Sequence, residues 1–345
     1  MKKLTVLFAA AAMFAFVGCN KQENTTYVAD QNGNVTLMMS GENWQNTTKQ
    51  TYVEEYNRIA FNIGDQVYIN GVLADLTPCD VNGATNDADN NAIDNSFYGM
   101  MTVNGNVLTG DDYVLYPAEI FTAGTAADMS DYTVTLDAQP LFIPQAGNTL
   151  LGGGFPAWPT AAKLSGNQFL LKNAVAILTP SIKYGAPFIM ALKNQANSPI
   201  ANEDVINDFP ELYIEEIELV STDQILAGTG HIANIATNPT LVMDNGTYQV
   251  NINADDFQVL PSSNGETYLG NITMAPIPAG KHLNMKVKFW LYFPGSDAEY
   301  HFVYNGTNVE ITAEGQGSVV RSGRSTLCAN LYSAANVSKV TPVVE

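Results

Sequence analysis

The sequence predicts an all-β protein built as two tandem antiparallel β-sandwiches, and three observations carry that expectation. Asn-Gly is the pair that most readily takes the positive φ values of a type I′ hairpin turn. It occurs seven times: Asn32-Gly33, Asn70-Gly71, Asn82-Gly83, Asn104-Gly105, Asn245-Gly246, Asn264-Gly265 and Asn305-Gly306. Several of these pairs are flanked by runs with an apolar residue at every second position, the period of a half-buried strand. Beyond the first 18 residues, no stretch repeats apolar residues at spacings of three and four over a dozen positions. Helix is therefore expected to be minor, a turn or two near 200–209 after Ser198-Pro199.

Taken from the start, the chain opens with Lys2 and Lys3, followed by an uncharged run of 14 residues, Leu4 to Val17. About 20 apolar residues are needed to span a bilayer, so this run predicts a secretory signal peptide over 1–18 rather than a membrane span. The tetrad Phe16-Val17-Gly18-Cys19 resembles the lipobox of bacterial lipoproteins, with Phe16 where Leu is usual. That resemblance implies cleavage between Gly18 and Cys19, a diacylglycerol on the Cys19 thiol and acylation of the new amino terminus, palmitate being the typical chain. The alternative is an ordinary signal peptide with an incidental cysteine. Each buried methylene of such a lipid contributes roughly 0.8 kcal/mol, enough for firm anchoring when several chains act together. Residues 19–33 then read as a linker.

The strand pattern begins at "NVTLMMSG" (34–41), with Val35, Leu37 and Met39 on one face. "DYTVTLDAQ" (131–139), "IEEIELVS" (214–221), "TYQVNINAD" (247–255), "MKVKFWLYF" (285–293) and "EYHFVYNG" (299–306) alternate in the same way. Many short strands with frequent turns are the pattern of sandwiches and barrels. The mature length of 327 residues is more than one core usually organises, so an N-terminal sandwich over 34–165 and a C-terminal one over 166–345 are expected. The seam is placed near 160–168, with the Gly- and Pro-rich "LGGGFPAWPTAAKLSGNQ" (151–168), which has too few alternating apolar residues for a strand pair. Residues 185–210 also read as loop, either an insertion in the second domain or an alternative seam.

Composition narrows the function. The chain carries 34 acidic and 15 basic residues, a formal charge of −19, which becomes −21 when Lys2 and Lys3 leave with the signal. Such a surface argues against nucleic acid and against adsorption to anionic lipid heads. With 46% apolar and 14% charged residues, this is no disordered acidic tail. Cys79 and Cys328 remain after lipidation; export would permit a disulfide between them, and two separate free thiols fit the spacing equally well.

Catalytic and metal signatures are sparse. His231, His282 and His301 show no partner spacing of a zinc site, and no nucleophile elbow or P-loop is present. No catalytic residue, metal ligand or cofactor site is therefore assigned. Asp87, Asp89 and Asn91 occupy alternate positions like those of a calcium loop, but Ala92 stands where that loop needs Gly and Tyr98 where it needs Glu. An acidic surface loop is the simpler reading. Trp44, Trp158 and Trp290 are candidates for stacking on a sugar, although aromatic residues in sandwiches mostly pack in cores or at edges.

Several segments together resemble the fimbrillin family, lipoprotein precursors of pilus subunits and of their accessory subunits. They are "FNIGDQVYI" (61–69), "YVLYPAE" (113–119), "FLLKNAVAILTPSIKY" (169–184), "IEEIELVSTDQILAGTGHI" (214–232) and "MAPIPAGKHLNMKVKF" (274–289). The resemblance implies two transthyretin-like sandwiches, no enzymatic activity, and a lipid-anchored precursor at the outer membrane that matures into a fimbrium. It also implies that a trypsin-like protease removes an amino-terminal strand and that a neighbouring pilus subunit donates one in its place, by β-augmentation. In this chain 34–41 is the candidate removable strand, and Arg58 and Lys49 are the candidate cleavage sites. Arg58 as a plain strand-end charge on a permanently anchored protein remains the alternative. Partners are then other pilus subunits, the outer membrane through the lipid, and a host or bacterial surface receptor or glycan. The rival function is a surface glycan-binding lipoprotein beside an outer-membrane importer.

Overall fold

The computed structural model of the chain describes residues 27–42, 45–46, 59–139, 159–261, 266–312, 319, 321 and 323–343. Strand is the dominant element throughout, so the all-β expectation is met. The first sheet has eight strands in the spatial order β4 (Val72–Asp75), β3 (Gln66–Ile69), β7 (Tyr113–Tyr116), β10 (Thr160–Lys163), β11 (Gln168–Asn173), β1 (Asn34–Gly41), β6 (Tyr98–Asn104) and β5 (Thr77–Cys79). Every neighbour is antiparallel except β1 and β11, which run parallel. The sheet wraps around one core to which most of its strands contribute, including Val35, Leu37, Met39, Val67, Ile69, Met101, Val103, Val114, Phe169 and Leu171.

The second core lies between two further sheets. In one, β12 (Ala176–Tyr184) runs parallel to β22 (Gly323–Leu331), with β17 (Thr267–Tyr268) and β18 (Ile272–Met274) antiparallel on its other side. The outer edge of β22 is covered by β2 (Gln45–Asn46), paired in parallel. The facing sheet has the order β16 (Gln249–Val259), β13 (Glu211–Val220), β19 (His282–Phe293), β20 (Ala298–Asn305) and β23 (Val340–Pro342), with β21 (Val309–Glu310) on β19. Period two is carried strictly along β19, where Met285, Val287, Phe289, Leu291 and Phe293 are buried and the residues between them are not. Pro342 ends β23 at the sheet edge, where a missing N–H is tolerated.

A fourth sheet joins the two regions. It runs β15 (Thr240–Thr247), β14 (Ala227–Ala233), β9 (Thr133–Leu136), β8 (Phe121–Thr122). Gly228, Thr229, Gly230 and His231 pair with Leu136, Thr135, Val134 and Thr133, so strand pairing crosses the 165/166 position expected as a domain boundary. Its core unites Phe121, Tyr132 and Val134 with Ile232, Leu241 and Met243. An isolated β8–β9 pair would be marginal in water; sharing a sheet with β14 and β15 removes that weakness.

Three local expectations need correction. The segment 151–168 does hold strand: β10 lies within it and β11 starts at its end, and Ala161 and Ala162 are small enough to be buried without a visible apolar alternation. Helix occurs at α1 (Ala186–Lys193), not at 200–209, which is a series of turns. At eight residues α1 is too short to display a repeating period, and it buries only Phe188, Ile189 and Leu192. Of the Asn-Gly pairs, Asn70-Gly71 alone among the described residues has both φ values in the positive turn range, 46° and 82°, and it links β3 to β4. Asn32-Gly33 and Asn82-Gly83 sit in turns closed by aspartates, and Asn245-Gly246 lies inside β15.

Phe289 is fully buried and stacks on Phe302 with ring centroids 5.5 Å apart. Phe289→Ala should lower stability by about 3–5 kcal/mol, read as an earlier urea midpoint in the fluorescence of the adjacent Trp290.

Candidate functional site

The candidate site is strand β1 and what holds it. Its sequence alternates so that Val35, Leu37 and Met39 are 3%, 0% and 0% exposed while Thr36 faces solvent. One side is antiparallel to β6 from Asn34 to Ser40, opposite Asn104 to Tyr98. The other is parallel to β11, Met38 to Gly41 opposite Gln168 to Leu171. The strand is therefore interior to its sheet, not an edge.

Both ends are fixed. Ahead of β1, the Asp30 carboxylate accepts the Asn32 and Asn34 backbone N–H groups at 2.7 and 2.9 Å, closing the turn that starts the strand. Earlier still, the Tyr27 hydroxyl donates to the buried Asp112 carboxylate. Burial pushes the Asp112 carboxyl up, but hydrogen bonds from the Thr109 N–H, Tyr27, Asn70 and the Gly110 N–H outweigh it and hold the group below the usual carboxylate range. At the far end, a Cβ on Gly41 would lie 2.6 Å from the Ile59 side chain, so only glycine lets the returning chain cross there. Glu42 extends the ladder through its N–H to the Leu171 carbonyl at 2.8 Å. Its carboxylate accepts from the Asn173 N–H at 2.7 Å and from Arg321. Then β2 crosses to the edge of β22.

The remaining sequence candidates fall as follows. Gly18, Cys19, Lys49 and Arg58, with Trp44 and Trp158, lie outside the described residues. Ile59, directly after Arg58, is buried in the first core. Cys79 and Cys328 are both free thiols in separate sheets. Burial, aided by Asp80, pushes the Cys79 thiol up to about 11. Asp87 uses Oδ1 to accept the Asp89 and Asn91 backbone N–H groups at 2.9 and 2.8 Å. The alternating acid pattern is thus a self-closed turn, and no group of three His, Cys, Asp or Glu side chains that could hold a metal ion occurs among the described residues.

Sequence reasoning missed the histidine partners. His231 faces Asp244 at 2.8 Å, His282 faces Asp223 at 3.2 Å and His301 faces Glu215 at 2.6 Å. All three are cross-strand or inter-loop pairs, and the nearest in sequence are 13 residues apart, so no short motif announces them. Trp290 stacks on Tyr213 at 4.2 Å and 11°, with His301 on its other side at 6.2 Å and 29°. Its indole N–H donates to Asp256 at 2.9 Å. A sugar ring stacks on a free aromatic face, and both faces of Trp290 are neighboured by side chains from β13 and β20. A hollow of about 610 Å³ lies against the outer side of β1 and β11, lined by Met38, Tyr98, Leu170 and Lys172 among others. No described helix is long and apolar enough to cross a membrane.

The Asp112 anchor gives the site an acid dependence. A carboxyl whose folded pKa is depressed stabilises the folded chain above its unfolded value, near 4, and loses that contribution as pH falls through the folded value. Asp112→Asn should be less stable at pH 6 and should lose less between pH 6 and pH 3 than the wild type, measured as urea midpoints at both pH values.

No protein-family model and no curated protein matches the sequence. Among solved structures, the chain is similar to a "putative cell adhesion protein" of Bacteroides eggerthii, at 10% identity over 93% of this chain and 94% of the other, with a TM-score of 0.38. A second "putative cell adhesion protein", from Bacteroides fragilis, matches at 11% identity over 85% and 92%, with a TM-score of 0.31. A fimbrial protein of Bacteroides ovatus matches at 8% identity over 87% of this chain and 49% of its own, with a TM-score of 0.30.

Proposed function

We propose that the chain is a non-enzymatic, fimbrillin-like cell-surface subunit, lipid-anchored through Cys19 at the outer membrane, that assembles by strand donation once its first strand is removed. The observation that carries this reading is topological. β1 is interior to its sheet, yet a single cut between Asn46 and Ile59 frees it together with everything before it. Each of Val35, Leu37 and Met39 contributes about 1.5–3 kcal/mol through burial, so their departure opens a groove between β6 and β11 that a strand of similar alternation would fill favourably. Arg58 and Lys49 both lie in that interval and suit a trypsin-like protease.

The same cut removes β2 and uncovers the edge of β22, so both halves of the molecule are altered by one event. The glycan-binding alternative is less well supported, because the one described tryptophan has its ring faces neighboured by Tyr213 and His301. The pairings of all three histidines with carboxylates across strands or loops fit a surface scaffold as well as a catalytic one, and Ser221, the hydroxyl beside the His282–Asp223 pair, donates to the His282 main-chain carbonyl at 2.7 Å rather than to its ring.

Two experiments test the reading. Cys19→Ser should abolish incorporation of labelled palmitate and release the protein from the membrane fraction; retained label would remove the anchor from the account. A low dose of trypsin should clip the precursor near Arg58 or Lys49 and yield ladders that resist dissociation in detergent. A clipped chain that stays monomeric would overturn assembly by strand donation.

A further inference from the structure

Glu42 is held where the two ends of the chain meet. One of its oxygens accepts both the Asn173 backbone N–H, at 2.7 Å, and the Arg321 guanidinium. Arg321 also donates to the Asn173 carbonyl at 2.8 Å, so the N–H and the C=O of one peptide-bearing residue address the two members of one ion pair. The partners are 279 residues apart in sequence. Their side chains are only 15% and 17% exposed, against 32% and 70% for the surface pair Lys163–Asp111. Exposed pairs contribute little, whereas a partly desolvated, charge-assisted pair is sensitive to loss of either member, because the other is left without a counter-charge.

Placement gives this pair its meaning. Asn173 ends β11, the parallel partner of β1, and Arg321 lies just before β22. Both stay with the body when the residues before Ile59 leave; Glu42 does not. Glu42 stands three positions beyond Met39, the last side chain of β1 in the core. The vacated position would present a guanidinium and a main-chain N–H, donors only, which a carboxylate satisfies in number and in charge. A glutamine would accept the hydrogen bonds and leave the guanidinium unbalanced, and a lysine would be repelled.

We propose that Arg321 and the Asn173 main chain form a carboxylate-recognition notch, which reads an acidic side chain three residues beyond the last core-facing residue of whichever strand occupies the β1 position. This rests on the strand-replacement reading above and adds a requirement to it. Apolar alternation lets a strand enter the groove, and the notch sets how far it slides. A strand donated by a second subunit must bring its own Asp or Glu to this point. In the uncut chain Glu42 fills the notch and fixes the register of β1.

The test uses the full chain with a specific protease site replacing residues 50–57. After cutting, labelled peptides spanning residues 27–46 compete with the bound fragment, and their affinities are compared. The wild-type peptide should exchange in, Glu42→Gln should bind about ten- to a hundredfold more weakly, and Glu42→Lys more weakly still. On an Arg321→Glu body the order should invert, with Glu42→Lys preferred. Binding of the Glu42→Gln peptide within twofold of wild type would overturn the notch while leaving strand replacement standing. Failure of every peptide, wild type included, to enter the cut protein would overturn both. The peptide series needs only the wild-type body, so a poorly folding Arg321→Glu variant does not weaken the test.

Discussion

The first core of this protein is complete only while residues 34–41 lie between β6 and β11. Backbone groups on both sides of β1 are paired, and three of its side chains are shut away from water. Because unpaired strand edges and exposed apolar surface are both unfavourable, some strand must occupy that place. The constraint is on position and alternation rather than on covalent continuity. A strand with the same period, entering from elsewhere, would satisfy the same bonds. The parallel contact to β11 adds selectivity of direction, because a strand entering in reverse would have to change its bonding pattern on both sides.

Part of the acidic composition has a structural role in closing turns. Asp30, Asp80, Asp87, Asp131 and Asp204 each accept two or more backbone N–H groups of the turn that follows or precedes them. All five carboxyls are held below the usual range, four of them chiefly by those backbone hydrogen bonds and Asp204 first by the Asn207 side-chain amide, then by the backbone. A protein made of many short strands has many turns, and aspartate closes a turn without requiring a positive φ from its own residue. This is also why the Asn-Gly pairs misled as hairpin markers. Asn32-Gly33 and Asn82-Gly83 are the interiors of loops governed by Asp30 and Asp80, two residues upstream.

Legibility followed the range of the interaction concerned. Strand β1 was readable to its end residues, and β19 and β20 nearly so, because alternation along a half-buried strand is a local signal. The small buried side chains of β10 gave no alternation to read, and α1 was too short to show a helical repeat. The bridging sheet was invisible because Val134 and Gly230 are neighbours only in three dimensions. Within the site, the core-facing residues of β1 were legible while its clamps were not. Tyr27 with Asp112 and Glu42 with Arg321 join residues 85 and 279 positions apart.

The four-stranded sheet that draws β8 and β9 together with β14 and β15 has a mechanical consequence. Two bodies connected only by a linker can swivel freely, and a tensile load then falls on the linker. Here a swivel would have to break the main-chain pairing between Thr133–Leu136 and Gly228–His231. Displacing one region against the other is thereby opposed by four consecutive residue pairs of a single antiparallel ladder, rather than by the covalent chain alone.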